Sequence, residues 1–267
     1  MFYRKPLMIK TTPILILFFL ASLMPTLADQ DANQLISNYL NQMVKHTATF
    51  SIGVEYYVKD KSPIRLSFSW KRWVQQTKVS HLIEMEYPNS EVGKRLLVHE
   101  YPNGSSERFA FRPKSVLKKN VRITGPRHYR YKKLRISVQE LIGGELAKYT
   151  HHFLKKKRLN NKNCYLIENR LKPLYRNESD YPRSVIALSV NEQELVQWEL
   201  YNRDNHLAKI ILPGKIKDID GVRTILSFRI TEPRRESTLV FNVKSVDYQP
   251  RFDPIIFKKE NLTESIQ

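Results

Sequence analysis

The amino-acid sequence predicts a mainly β protein, with one continuous antiparallel sheet and a few helices. Two observations carry this prediction. Apolar and polar residues alternate over short runs along most of the chain, which is the pattern of strands with one buried and one wet face. Short turn-forming segments, such as Pro102–Ser106, separate successive runs as they do in hairpins. Helical periodicity is confined to a few places.

The N-terminus has the layout of a secretory signal peptide. Arg4, Lys5 and Lys10 precede an apolar run, Pro13–Met24, and small residues precede a cut after Ala28. We therefore expect residues 1–28 to be a cleavable signal peptide and residues 29–267 to be a single domain that works outside the cytoplasm. The alternative is an uncleaved anchor, but the apolar run is shorter than the roughly 20 residues of a spanning helix.

One amphipathic helix is expected directly after the signal. Leu35, Ile36, Tyr39 and Leu40 fall at helical spacing and form one apolar stripe. Asp31 and Asn33 are both plausible N-cap residues. The helix is predicted over residues 32–46.

Strands account for most of the remaining chain. The predicted strands are Thr49–Lys59, Ile64–Lys71, Val79–Tyr87, Lys94–Tyr101, Glu107–Arg112, Val116–Ile123, Tyr149–Lys157, Asn163–Leu171, Ser184–Val190, Leu195–Tyr201, Ala208–Leu212, Thr224–Thr231 and Thr238–Val246. Between the sixth and seventh strands, Ser137 and Glu140 form a capping box that predicts a short second helix over Leu141 and Ile142.

The chain is strongly basic. Its 45 Lys and Arg residues outnumber 26 Asp and Glu residues, which gives a net charge of +19. Such a charge favours anionic membrane surfaces or acidic partners, and export from the cytoplasm argues against nucleic acid. The basic stretch that follows Gly125-Pro126 supplies candidate contacts to an anionic head group or partner: Arg127, Arg130, Lys132, Lys133 and Arg135. A merely solvated basic connector is the alternative.

The sequence has no recognisable catalytic or metal-binding motif. It lacks a Gly-x-Ser-x-Gly elbow, a phosphate-binding loop and the His-Glu-x-x-His spacing. Its one cysteine, Cys164, excludes an internal disulfide and lies in an apolar strand, where a packed thiol is expected. We therefore expect no enzyme, no cofactor and no metal. A secreted hydrolase whose active site has no recognisable sequence motif is one hypothesis that stays open.

The apolar face of the predicted sheet is the candidate ligand site. A long curled sheet leaves a concave apolar space, and the helices could cover it. On the alternation argument we expect ten side chains to line that space: Ile52, Val54, Tyr56, Leu66, Phe68, Trp70, Ile83, Met85, Phe109 and Phe111. An ordinary packed core is the alternative for each of these residues.

The order of segments resembles the outer-membrane lipoprotein-sorting protein family, the relatives of the periplasmic carrier LolA. The resemblance rests on the order and spacing of several pieces: Arg135–Leu141, Asn163–Asn169, Val185–Val190, Trp198–Tyr201, Leu207–Lys209, Ile219–Gly221, Ser237–Thr238 and Phe252–Phe257. It implies a half-open antiparallel barrel that is lined by apolar side chains and covered by helices. It also implies carriage of a lipidated protein or another lipid between envelope membranes, often alongside an RND-type exporter, without a cofactor.

The leading hypothesis is thus a periplasmic carrier of lipoprotein acyl chains or another lipid. The alternative is a sensor or scaffold of the cell envelope that binds a protein partner or an anionic surface through its basic face. In that case the interior would be filled by the protein's own side chains.

Overall fold

The computed structural model describes residues 27–44, 46–113, 121–122, 128–131, 134–137, 146–177 and 179–263. Residues 1–26, which make up most of the predicted signal peptide, lie outside these ranges. The same holds for residues 138–145, which contain most of the predicted second helix. The described part of that segment, Leu134–Ser137, is a strand.

The chain forms one α-helix and seventeen strands within the described ranges. The helix α1 spans Leu27–Val44. The strands are β1 (Ala48–Val58), β2 (Ile64–Val74), β3 (Val79–Tyr87), β4 (Arg95–Glu100), β5 (Ser106–Phe111), β6 (Val121–Arg122), β7 (His128–Tyr131), β8 (Leu134–Ser137), β9 (Tyr149–Leu159), β10 (Lys162–Leu171), β11 (Arg183–Ser189), β12 (Leu195–Tyr201), β13 (Leu207–Pro213), β14 (Ile216–Ile219), β15 (Val222–Ile225), β16 (Ser227–Glu232) and β17 (Ser237–Asp247).

Thirteen strands make one open antiparallel sheet. Their order is β6-β5-β4-β3-β2-β1-β17-β16-β13-β12-β11-β10-β9, so β1 and β17 pair at the centre and β6 and β9 are the edges. The mainly β prediction is confirmed. Where a few covering helices were expected, the described residues contain one α-helix and several short 3-10 helices.

One predicted strand, Thr224–Thr231, is two strands in the structure. β14 and β15 form a separate hairpin whose turn holds Asp220 and Gly221 at positive φ, a conformation that glycine adopts without steric cost. The backbone N–H of Leu226 donates to the carbonyl of Lys215, so the chain leaves the hairpin there. β16 then enters the large sheet beside β13 and β17.

The helix α1 packs against β9, and one large apolar cluster joins the helix to the sheet. Ile36 and Tyr39 of the helix belong to this cluster together with side chains from both halves of the sheet. We call this group the inner cluster; its buried members include Ile36, Tyr39, Phe50, Ile52, Val54, Tyr56, Leu66, Phe68, Ile83, Met85, Leu96, Val98, Ile167, Leu188, Trp198, Leu200, Ile211, Ile230, Leu239 and Phe241. Because each side chain here leaves water, this burial is the main source of stability.

A smaller apolar cluster covers the opposite face of β3–β5. It consists of Leu82, Leu97, Phe109, Phe111, Phe257 and Leu262, and we call it the outer cluster. The C-terminal 3-10 helices, Pro254–Phe257 and Lys259–Thr263, supply the cover. Strands β3–β5 are therefore buried on both faces. Cys164 lies in a third, separate cluster and is fully buried, as predicted.

Candidate functional site

The two ends of the open sheet approach each other at one place, which we call the seam. There the β4–β5 turn meets the segment before β9 and the 3-10 helix after β10. The ammonium of Lys148 donates to the Ser106 hydroxyl at 3.3 Å, and the Tyr175 hydroxyl donates to the Asn103 carbonyl at 3.3 Å. Gly104 has φ +82, and a Cβ there would lie 3.4 Å from the Tyr175 hydroxyl. In the part of the chain that the structure describes, the two ends thus touch through a turn and not by strand pairing.

A cavity of about 500 Å³ lies at the seam, between the sheet and α1. This volume falls within the range of small-molecule sites, roughly 300–1,000 Å³. Its lining residues are Leu40, Asn41, Val74, Gln75, Lys78, Val79, Glu100, Tyr101, Pro102, Gly104, Ser105, Ser106, Leu146, Ala147 and Lys148. Pro102 and Ser105 are exposed, so the cavity reaches the molecular surface at this turn.

The apolar part of the cavity is built from four separate elements. Leu40 comes from the C-terminal half of α1, Val74 from the end of β2, and Val79 from the start of β3. Leu146, fully buried, comes from the 3-10 helix before β9. A short β2–β3 connection places the two valines as neighbours, because they pair directly across the hairpin.

A chain of hydrogen bonds runs from the inner cluster to the cavity. The indole N–H of Trp70 donates to Nδ1 of His81 at 3.1 Å, and Nε2 of His81 lies 3.0 Å from a carboxylate oxygen of Glu100. An indole N–H can only donate, so Nδ1 of His81 must be the acceptor. In this arrangement Nε2 of His81 is the donor to Glu100. Glu100 lines the cavity, and its side chain is 23% exposed.

A buried cation lies behind this chain. Arg72 is only 6% exposed and pairs across the strands with His81. Its Nε donates to the His46 carbonyl at 2.8 Å, and its guanidinium lies 5.3 Å from the ring centre of Phe50. Burial lowers the pKa of Arg72 to about 10, so the group stays charged at neutral pH. Aromatic faces and a carbonyl thus compensate the desolvation of this charge.

The arrangement therefore combines an apolar hollow with a few oriented polar groups. Glu100 supplies an anion, while Lys148 and Lys78 supply cations at the same cavity. Lys148 is 1% exposed, and its ammonium lies 5.5 Å from the ring centre of Tyr175. Such a site can hold an apolar chain and orient a polar end.

Eight of the ten predicted ligand residues lie in the inner cluster or against it. Seven are buried members: Ile52, Val54, Tyr56, Leu66, Phe68, Ile83 and Met85. Trp70 is partly buried and packs against the cluster. None of the eight lines the seam cavity.

The face predicted for Phe109 and Phe111 is corrected by the register of β3–β5. Ile83 pairs with Leu96, and Leu96 with Ala110, so these three residues share the inner face. Phe109 pairs with Leu97 and thus lies on the opposite face, in the outer cluster with Phe111. Alternation failed here because both faces of β5 are covered, so a large apolar residue marks neither face.

The sequence contains a signal for the polar network beside the cavity, which the alternation argument alone does not recognise. Along β2 the inner face carries Phe68, Trp70, Arg72 and Val74 in alternation, and Arg72 interrupts an otherwise apolar row. His81 interrupts the facing row of β3 in the same way. Polar residues at the inner positions of adjacent strands indicate a buried polar network.

The predicted basic contact residues form no described cluster. Arg130 and Arg135 occupy directly opposed positions in the β7–β8 hairpin. Arg127, Lys132 and Lys133 lie outside the described residues. The proposed role of this stretch stays a prediction.

A search of the described ranges for metal-binding chemistry gave no group of three or more His, Cys, Asp or Glu side chains that could hold an ion. A search of the same ranges for membrane spans gave no helix with the length and apolar character that crossing requires.

Comparisons with solved structures identify the fold. A putative outer-membrane lipoprotein-sorting protein domain from Vibrio parahaemolyticus matches with a TM-score of 0.78 and 16% identity, over 88% of this chain and 100% of that one. A DUF1329 family protein from Desulfovibrio piger matches with a TM-score of 0.76 and 18% identity, over 88% and 99%. A LolA superfamily protein from Nitrosomonas europaea matches with a TM-score of 0.69 and 11% identity, over 86% and 98%.

Comparisons of sequence add a family but no function. No curated protein matches the chain significantly. A family model described as "Uncharacterized protein" matches residues 77–264, which is more than half of the chain. The chain therefore belongs to that family, and it has the fold of the outer-membrane lipoprotein-sorting proteins of the LolA superfamily.

Proposed function

We propose that this protein is a periplasmic carrier that binds a lipid, or the acyl chains of a lipoprotein, and moves it between envelope membranes. The observation that carries the proposal is the seam cavity. It lies between the sheet and α1, apolar side chains from four elements line part of it, and it reaches the surface at an exposed turn.

Apolar burial would supply the binding energy. Each methylene moved out of water contributes about 0.8 kcal/mol, so a chain of ~16 carbons gains roughly 13 kcal/mol. An exposed ion pair contributes less than about 1 kcal/mol. Lys78 and Lys148 would therefore orient an anionic head group at the cavity without deciding the affinity.

The compartment and partners follow from the same proposal. A cleaved signal peptide would deliver residues 29–267 to the periplasm, where a lipid cannot cross water unaided. An RND-type exporter is a partner of the kind that the resemblance implies. The carrier needs no cofactor and performs no catalysis, because its work is transfer between membranes.

The proposal is tested by lipid recovery and by probe binding. The mature protein is purified from its native host, extracted with organic solvent and titrated with a fluorescent fatty-acyl probe. We expect a co-purified lipid and saturable probe binding. If no lipid co-purifies and the probe does not bind, the protein is not a lipid carrier.

A cavity-filling variant places the binding site. Val79→Trp adds an indole at a lining position of the cavity and should weaken probe binding at least tenfold. The matched control is Val92→Trp, which makes the same change at a turn residue that is 46% exposed and outside the cavity. Circular dichroism verifies that both variants fold. Equal binding by the two variants would contradict the assignment of the site.

The inner cluster favours one alternative. Away from the seam, the space between α1 and the sheet is occupied by the protein's own buried side chains. An envelope sensor or scaffold would use such a filled interior as a rigid base and bind a partner through its basic surface. In that case Val79→Trp should leave the function of the protein in cells unchanged.

A further inference from the structure

The edge strand β9 ends in an exposed basic segment. Lys155, Lys156, Lys157 and Arg158 follow one another, and all four side chains are exposed. None of the four forms an ion pair with any residue that the structure describes. We call these four residues the basic edge. They are distinct from the basic stretch around residues 127–135.

The geometry of β9 gathers these charges at one border of the molecule. Among the described residues, the strand pairs with β10 alone, so β9 is an edge of the described sheet. Side chains alternate between the two faces, and here both faces are exposed. The four residues span roughly 10 Å of strand at about 3.3 Å per residue. Long stems allow lysines on both faces to reach the same plane beyond the edge.

No acidic side chain opposes the basic edge across β10. The paired residues are Asn163, Cys164, Tyr165 and Leu166. Glu192 and Glu194, which follow β11, lie 3.8 and 3.7 Å from the ammonium of Lys162, the first residue of β10. Lys156 lies over the ring of Tyr165, with its ammonium 5.3 Å from the ring centre. Within the described residues, the basic edge is therefore exposed and its four cations form no ion pair.

An apolar residue stands directly beside the charges. Leu154 is the extra residue at the β9 bulge, between Phe153 and Lys155 of the pairing register, and it is 46% exposed. An exposed leucine adjoining a run of cations suits the interface of an anionic bilayer, where the leucine enters the head-group region and the cations meet phosphates.

The same charges argue against edge-to-edge pairing with a second copy. Antiparallel pairing of two β9 strands would bring like charges opposite one another, which destabilises a sheet. Charged edges commonly prevent such aggregation. Prevention alone, however, does not require an exposed leucine next to the charges.

We propose that the basic edge and Leu154 form a docking surface for anionic phospholipid membranes. Each Lys or Arg near an anionic surface contributes about 1 kcal/mol of attraction, which is about a fivefold change in affinity. Docking in this way holds β9 against the bilayer. The proposal is independent of the cavity and does not require that the protein carry lipid.

The test is co-sedimentation of the mature protein with vesicles. The probes are vesicles of phosphatidylcholine with phosphatidylglycerol and vesicles of phosphatidylcholine alone. We expect binding to the anionic vesicles that weakens as salt rises. Lys155→Glu with Lys157→Glu should weaken that binding by more than about thirtyfold, since two attractive charges are lost and two repulsive ones are added.

The matched control is Lys61→Glu with Arg234→Glu. It makes the same change in net charge at two exposed residues outside β9. Lys61 follows the C-terminal end of β1, and Arg234 follows the C-terminal end of β16. This control should lower binding far less than the β9 variant. An equal loss of vesicle binding in the two variants would overturn the proposal. A wild-type protein that binds heparin but neither kind of vesicle would overturn it as well. Probe binding in the cavity should be the same in all three proteins.

Discussion

The two ends of the sheet interior carry different polar networks. At one end, which we call the closed end, Lys209 and Glu232 pair at 3.2 Å, and both side chains are buried at 5% and 8% exposure. At the other, the cavity end, the chain from Trp70 through His81 stops at Glu100, which is 23% exposed. The first network thus lies among buried side chains, whereas the second ends in a partly exposed carboxylate.

The difference lies in where each network meets solvent. The closed end pairs its charges within the protein, because Lys209 pairs with Glu232 and Ser237 also donates to that carboxylate at 3.4 Å. The half-exposed Arg235 adds a longer contact to the same carboxylate, at 3.6 Å. The cavity end leaves a carboxylate beside an open hollow. A buried pair fixes structure, whereas a partly solvated polar group beside an apolar cavity is available to a ligand.

The largest expected effect is at the closed end. Lys209→Met leaves the Glu232 carboxylate buried without its main cation, which should lower the free energy of unfolding by about 3 kcal/mol. Urea denaturation measures the loss. The double variant Lys209→Met with Glu232→Gln removes both charges and should recover most of it. If the double variant is as unstable as the single one, the pair is not what stabilises this end.

A smaller effect distinguishes the cavity end by pH. His99, the neighbour of Glu100 on the opposite face of β4, is buried and bonded to the Ser80 hydroxyl at 2.9 Å. Burial, followed by the charge of Lys78, lowers the pKa of His99 from 6.5 to about 4. Between these values the unfolded chain takes up a proton that the folded chain does not, so stability falls as the pH drops from 6.5 towards 4.

The measurement is urea denaturation at pH 7 and pH 5. The wild type should lose about 2 kcal/mol through His99 between these values. His99→Gln cannot titrate and should lose less by that amount, whereas Lys209→Met should keep the full pH dependence. An identical loss in wild type and His99→Gln would remove His99 as the cause.

The sequence predicted the fold well because strand alternation is a local pattern. Ile52, Val54, Leu66 and Phe68 alternate with polar neighbours, and all four are buried in the inner cluster as that pattern requires. Amphipathic spacing also located α1, with Ile36 and Tyr39 on its buried face. The family resemblance added the topology that these local patterns do not contain.

The cavity could not be predicted in the same way, because it depends on contacts distant in sequence. Val79, Ser106 and Leu146 meet at the seam only when the sheet curves far enough to bring its two ends together. Alternation also cannot choose a face where both are covered, and Phe109 was therefore assigned to the wrong one. Registers between strands supply that information, and a single sequence does not.

The central claim is that the seam cavity holds an acyl chain, and photolabelling with a diazirine-bearing fatty acid tests it most directly. After irradiation of the complex, mass spectrometry of the digested protein maps the labelled peptides. The account predicts labels around Leu40, Val79 and Leu146, three apolar residues that line the cavity. Labels confined to the outer cluster around Phe109 and Phe257, or the same pattern in Val79→Trp, would contradict it.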